Sequence, residues 1–124
     1  MSTLIVKVCS DEDFFRRGRE LADRADRGEA VPDEKILSFE DPSEMLGLLT
    51  TARLALFRAV KEQPGSIAFL ARRLHRDRSA VKRDVDQLLK AGLVQVESKP
   101  LPGHGRMKEV SPVADTVRLE ALLA

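Results

Sequence analysis

The stretch "FLARRLHRDRSAVKRDVDQLLKAGLVQVE", residues 69–97, decides the reading of this chain. Val81, Val85, Leu88 and Leu89 stand at i, i+4, i+7 and i+8, the spacing that lines one side of a helix and buries it. Asp77 sits where a helix N-cap accepts the first free backbone N–H groups. Gly92 sits just past the last turn, where left-handed backbone ends a helix. A shorter helix precedes this one, capped by Ser66 and apolar at Ile67, Leu70, Ala71 and Leu74. Between the two, "HRD" leaves room only for a tight turn. With the valines and leucines inward, Arg78, Ser79, Lys82 and Arg83 face outward from the first half of the second helix.

Downstream, "LVQVE" alternates like a strand, and "SKPLPGHGRM" is a loop rich in proline and glycine. "KEVSPV" can return as the paired strand. Upstream, "PG" at 64 and 65 ends a helix, "ARLALFRAVKEQ", capped by Thr50 or Thr51. In it Ala52, Leu56, Ala59 and Val60 continue a stripe from Leu49, which Leu54 and Phe57 widen. So broad an apolar surface predicts a helix that is central or lies at a dimer seam. Helix, helix, tight turn, helix and two-stranded hairpin is the order of a winged helix-turn-helix. Its short turn crosses two helices so that the first braces the second against a duplex.

Side-chain chemistry assigns roles on that frame. Arg78 and Arg83 can fork onto guanine O6 and N7 or onto phosphate, and Ser79 can reach a base edge or a phosphate. Lys82 is a point charge suited to the backbone. Arg76 in the turn and Ser66 at a helix start are expected on phosphates, the latter through backbone N–H groups. His104, Arg106 and Lys108 flank "PGHG", whose glycines let a wing tip lie close to a groove. The bland alternative is a solvated helix surface, with Asp84 and Asp86 tempering Lys82 and Lys90. The turn, cap, helix stop and basic hairpin together favour double-stranded DNA.

The N-terminal part reads differently. "LIVKV" is a strand with Leu4, Val6 and Val8 on one face. Asp11 to Arg27 is an amphipathic helix striped by Phe14, Phe15, Gly18, Leu21, Ala22 and Ala25, and opened by three acids that suit a helix N-terminus. "KILSFE" is a second strand, and "DPSEMLGLL" a short helix begun by Asp41 and Pro42. The tail "DTVRLEALLA" is expected to be a short amphipathic helix. The expected segments are an arm at 1–45 for dimerisation or partner binding, a DNA-binding domain at 46–113 and a helical tail at 114–124. The fold expected is α+β, mainly α: a winged helix-turn-helix with an N-terminal strand-helix-strand arm.

The formal net charge of +1 hides an uneven distribution. From Asp11 to Glu44 there are 12 acids and 6 bases, while from Arg72 to Lys108 there are 10 bases and 4 acids. The two ends therefore suit different partners. No apolar run approaches the ~20 residues of a membrane helix, and the N-terminus has no basic export signal. One cysteine, Cys9, permits no internal disulfide, so the cytosol is the expected compartment. His75 and His104 lie far apart with no Cys or acid at ligand spacing, so no metal and no cofactor are expected. No catalytic set, P-loop or dinucleotide fingerprint is present, and no enzyme is expected. The absence of Trp and Tyr disfavours single-stranded RNA, which is held on aromatic platforms.

"LARRLHRDRSAVKRDVDQLLKAGLV" resembles the helix-turn-helix of prokaryotic winged-helix transcriptional regulators of the ArsR and MarR type. The longer frame with "LSFEDPSEMLGLLTTARLALFRAV" looks closer to a group of small prokaryotic DNA-binding regulators with an N-terminal strand and helix, some of them antitoxins of the TumA kind. The resemblance covers roughly residues 36 to 111 and implies a dimeric repressor on operator DNA. It also implies a ribonuclease-like toxin as a partner of the N-terminal portion. The alternative from another class is a winged protein-interaction module that does not read DNA.

Overall fold

A computed structural model describes residues 2–31 and 33–121. The chain divides into two compact units, residues 48–115 and residues 1–47 together with 116–124.

The first unit is built on a parallel sheet. β1 (Thr3–Val8) lies in the middle, with β2 (Glu34–Phe39) on one side and β5 (Thr116–Glu120) on the other. β1 pairs with β2 from Thr3 opposite Glu34 to Val8 opposite Phe39, and with β5 from Thr3 opposite Thr116 to Lys7 opposite Glu120. Leu4, Ile5 and Val6 are all buried, as expected of a central strand in a parallel sheet, which is covered on both faces. A parallel pair needs a crossover, and α1 (Asp11–Asp26) supplies it between β1 and β2. Ser10 caps α1 by accepting from Asp13 N–H at 3.2 Å. α2 (Pro42–Leu48) follows β2, with Asp41 accepting from Ser43 N–H at 2.9 Å at its start.

β5 corrects one expectation. The tail at 114–124 was expected as a helix, but Thr116–Glu120 is a strand, while residues 122–124 lie outside the described residues. The physical reason is non-local. "TVRLE" has the β-branched, alternating character of a strand, and the free edge of β1 offers it a full set of hydrogen-bond partners, which isolated helical propensity could not match. The chain consequently leaves the first unit after α2 and returns to it at its end, and the expected boundary at 45/46 moves to 47/48.

The second unit is the winged helix-turn-helix. α3 (Thr51–Glu62), α4 (Ile67–Leu74) and α5 (Arg78–Ala91) precede the antiparallel hairpin of β3 (Val94–Pro100) and β4 (Arg106–Pro112). Leu56, Val60, Leu70, Val81, Val85, Leu88, Leu93, Val94 and Val110 are almost wholly buried. Each such side chain contributes about 1.5–3 kcal/mol of transfer free energy. Ala52, expected on the inner stripe of α3, is exposed, and the buried surface there is Leu56, Phe57, Ala59 and Val60. Gly65 exchanges two hydrogen bonds with Val110, at 3.2 and 2.8 Å, which ties the start of α4 to the hairpin.

Candidate nucleic-acid interface

Local chemistry sets the turn between α4 and α5. Ser66 caps α4, its Oγ accepting from Phe69 N–H at 3.1 Å. α4 ends in His75, whose φ of 53° makes it the one described non-glycine residue in left-handed backbone. That conformation lets the N–H groups of His75 and Arg76 close back onto carbonyls of α4. Asp77 then caps α5, accepting from the Ser79 N–H at 3.2 Å and from the Ser79 hydroxyl. Those bonds, chiefly the one from the Ser79 hydroxyl, hold the Asp77 carboxyl below its ordinary pKa, with a further contribution from Arg83. Ser79, expected to offer its hydroxyl outward, donates it to the cap.

Several arginines of the basic run build the frame. Arg73 caps the end of α3, donating from Nη1 to Ala59 O at 2.9 Å and Gln63 O at 3.0 Å, and its guanidinium lies over the Phe69 ring. Arg76, expected on a phosphate, is turned inward. Its Nη2 lies 2.8 Å from Asp84 Oδ2, while Arg53 Nε of α3 lies 3.1 Å from Asp84 Oδ1. Asp84 is therefore a structural clamp rather than a surface charge. Burial pushes its carboxyl up, but hydrogen bonds from Arg76 and Arg53 outweigh burial and hold it below its ordinary pKa.

Three other cations converge. Arg78 and Lys82 of α5 line a groove of about 540 Å³ together with Ser66, Ser98 of β3 and Lys108 of β4. Its floor is apolar, from Val85, Val96 and Val110. Leu89, expected to be buried with the inner stripe, lies beside this groove and is 43% exposed, because its position on α5 falls between the core and Lys82. Lys82 also pairs with Asp86 at 2.9 Å in an exposed i, i+4 contact, which is worth little in solvent. Arg83 is exposed on the outer side of the helix.

The wing is held by cross-strand chemistry. Ser98 stands opposite Lys108 in the hairpin register. Arg106 donates to Ser98 Oγ at 2.8 Å and to Ser98 O at 2.9 Å, so its guanidinium is engaged in the wing itself. Lys99 pairs with Glu109 at 2.7 Å, a bond that raises the Lys99 pKa. His104 is exposed at the tip between Gly103 and Gly105, both at φ 77°, a backbone that glycine adopts without strain. Two residues of this surface escaped the sequence reading. Ser98 joins it through the strand register, which no local pattern reveals. Arg72 is exposed in a second hollow with His75 and Arg78, over the small side chains of Ala68 and Ala71. Its place in the quoted basic run was the available signal.

The HVO_A0114 family model matches residues 48–119, which span the winged unit and run into β5. The chain belongs to the HVO_A0114 family. No curated protein matches it. Among solved structures it is similar to a possible transcriptional regulator from Methanosarcina mazei Go1, at 22% identity and a TM-score of 0.47, over 60% of this chain and 66% of that one. It is similar also to a MarR-like transcriptional regulator from Thermotoga maritima, at 22% identity and 0.47, over 84% and 65%. A third is the transcriptional regulator BldR from Sulfolobus solfataricus, at 22% and 0.47, over 84% and 69%. The chain spans just under two thirds of the length of the first two. This member of the HVO_A0114 family has no helix among its described residues long and apolar enough to cross a membrane.

Proposed function

We propose that this protein is a transcriptional regulator that binds double-stranded DNA as a dimer and represses from its operator. The observation that carries the reading is the convergence of Arg78 and Lys82 from α5 with Lys108 from the wing around one groove. Two elements distant in sequence thus offer cations to the same track, as a protein must when it holds phosphates on either side of a base-reading helix. Arg83, on the outer side of α5, is positioned for a base edge, and His104 at the wing tip for the adjacent groove. Ser66 adds a helix N-terminus beside the cations. Arg76 and Arg106 act at one remove, by bracing the turn and the wing.

Binding to duplex DNA, followed by fluorescence anisotropy across a salt series, tests this. Affinity should fall steeply with salt, and Arg78→Ala, Lys82→Ala and Lys108→Ala should each weaken it. A protein that binds no duplex at low salt is the protein-interaction module of the alternative reading. The antitoxin role implied by the resemblance is a separate matter, tested by copurification with the product of an adjacent reading frame.

A further inference from the structure

α1 is amphipathic along its length, yet none of its 16 residues is buried. Its partly covered positions are Arg17, Leu21 and Arg24, which share one side at helical spacing, and Arg17 reaches Glu34 of β2 at 2.9 Å. That side faces the sheet. About a third of a turn away stand Phe15, Gly18 and Ala22, all exposed, with Phe15 at 61%. With Ile36 of β2 they line a groove of about 430 Å³. The opposite flank of α1 is polar, and Asp13, Arg16 and Glu20 there line a hollow with Leu119 and Glu120 of β5. The helix therefore turns its apolar flank toward β2, which is an edge strand with no neighbour beyond it among the described residues. An open row of backbone donors and acceptors and an uncovered apolar flank lie on the same side of one unit.

We propose that a second copy of the chain occupies this side, with β2 pairing antiparallel to the partner's β2 across a two-fold axis and the partner's α1 filling the groove. Strand spacing makes the two contacts compatible. Neighbouring strands lie about 4.8 Å apart, and a crossover helix lies over the two strands it joins, so a two-fold axis at the β2 edge sets the two α1 axes about 9.6 Å apart. Helices pack at roughly 8–10 Å, so joining the sheets brings the helices into contact without strain.

The pattern of α1 is also self-complementary. In an antiparallel pair centred on Gly18, Phe14 meets Ala22, so that bulk falls opposite a small side chain. A Cβ at Gly18 would meet nothing within 4 Å in the single chain, so this centre is open to a partner. The other sheet edge, β5, adjoins the polar flank of α1 instead of its apolar one. The assembly deepens the dimeric part of the proposed function and does not depend on DNA recognition.

Sedimentation equilibrium of the full chain without DNA, at roughly 1–100 μM, is the test, a span that brackets micromolar association. The wild type should be dimeric at the upper end. Phe15→Glu and Gly18→Arg should both sediment as monomers with unchanged helical circular dichroism, since Gly18 lies on an open helix side where arginine favours the helix over glycine. Hydrogen exchange at the β2 amides facing away from β1 should be slow in the wild type and fast in both variants. A monomeric wild type, or a dimer that survives both substitutions, overturns the proposal, and the groove then belongs to a different protein. Arg78→Ala and Lys82→Ala should leave the dimer intact, so the assembly and the DNA reading fail separately.

Discussion

Arg76 Nη2 lies 2.8 Å from Asp84 Oδ2, joining the tight turn to the middle of α5. The other oxygen of the same carboxylate holds Arg53 at 3.1 Å, so a single acid fastens the turn, α3 and α5 to one another. The side chain of Asp84 is only 14% exposed, and a charge so far removed from water persists because both of its oxygens are paired. The clamp fixes how α5 is presented, and hence where Arg78, Lys82 and Arg83 point.

Removing that acid takes one acceptor from each of two largely buried guanidinium groups, of which Arg53 keeps Leu48 O at 3.0 Å. Asp84→Ala is expected to cost about 2–3 kcal/mol of stability, read as a lower urea midpoint with an unchanged slope. A midpoint equal to the wild type would mean that the clamp contributes nothing. The pH dependence has a definite sign. The folded carboxyl lies below its ordinary pKa despite burial, so its stabilisation is present above the unfolded value and lost as pH falls through the folded one. The stability gap between wild type and Asp84→Asn should accordingly shrink on acidification below about pH 4.

The groove cations and the outward arginine should separate by what they change. Lys82→Ala and Lys108→Ala should weaken every duplex about equally and lower the slope of log K against log salt by about one each. Arg83→Ala should instead cost about 1–3 kcal/mol on the preferred operator and relax its sequence preference. Equal losses on all sequences for Arg83→Ala would assign it to the backbone.

Gly65 stands where the chain enters α4, bridged to Val110, and a Cβ there would overlap the ring of Phe69. The ring lies beneath the Arg73 guanidinium, 5.4 Å from its centroid, which limits how far it can give way. Gly65→Ala should therefore destabilise by about 1–3 kcal/mol, and adding Phe69→Leu should recover part of the loss. Strict additivity of the two substitutions would count against the overlap.

Truncation before Thr116 removes β5 and leaves β1 with a partner on one side only. Hydrogen exchange should report faster opening of the β1 amides, while the amides of α5 keep their protection. Wild-type protection throughout β1 would show that β5 adds nothing to the first unit.

Residues 69–97 carried most of the winged unit in legible form. The Val81, Val85 and Leu88 stripe, the caps at Ser66 and Asp77 and the stop at Gly92 are local signals, and local hydrogen bonding and helical periodicity convert them directly into α4, the turn and α5. The acidic start of α1 and the strands at either side of it were readable for the same reason. Which arginine does what was not readable. Arg73, Arg76 and Arg78 are equivalent in sequence, yet the first caps α3, the second is clamped by Asp84 and only the third reaches the groove.

What the sequence determined by itself is the order of the elements in the winged unit and, Ala52 and Leu89 apart, the inward side of its helices, because those depend on neighbours within a turn or two. Only the tertiary structure decided that the tail is a strand, that Ser98 and Lys108 stand opposite each other, and that Asp84 is shared by two arginines. These are pairings between residues far apart along the chain. A free sheet edge, a hairpin register and a half-buried charge choose their partners by geometry and desolvation, which no local pattern of residues encodes.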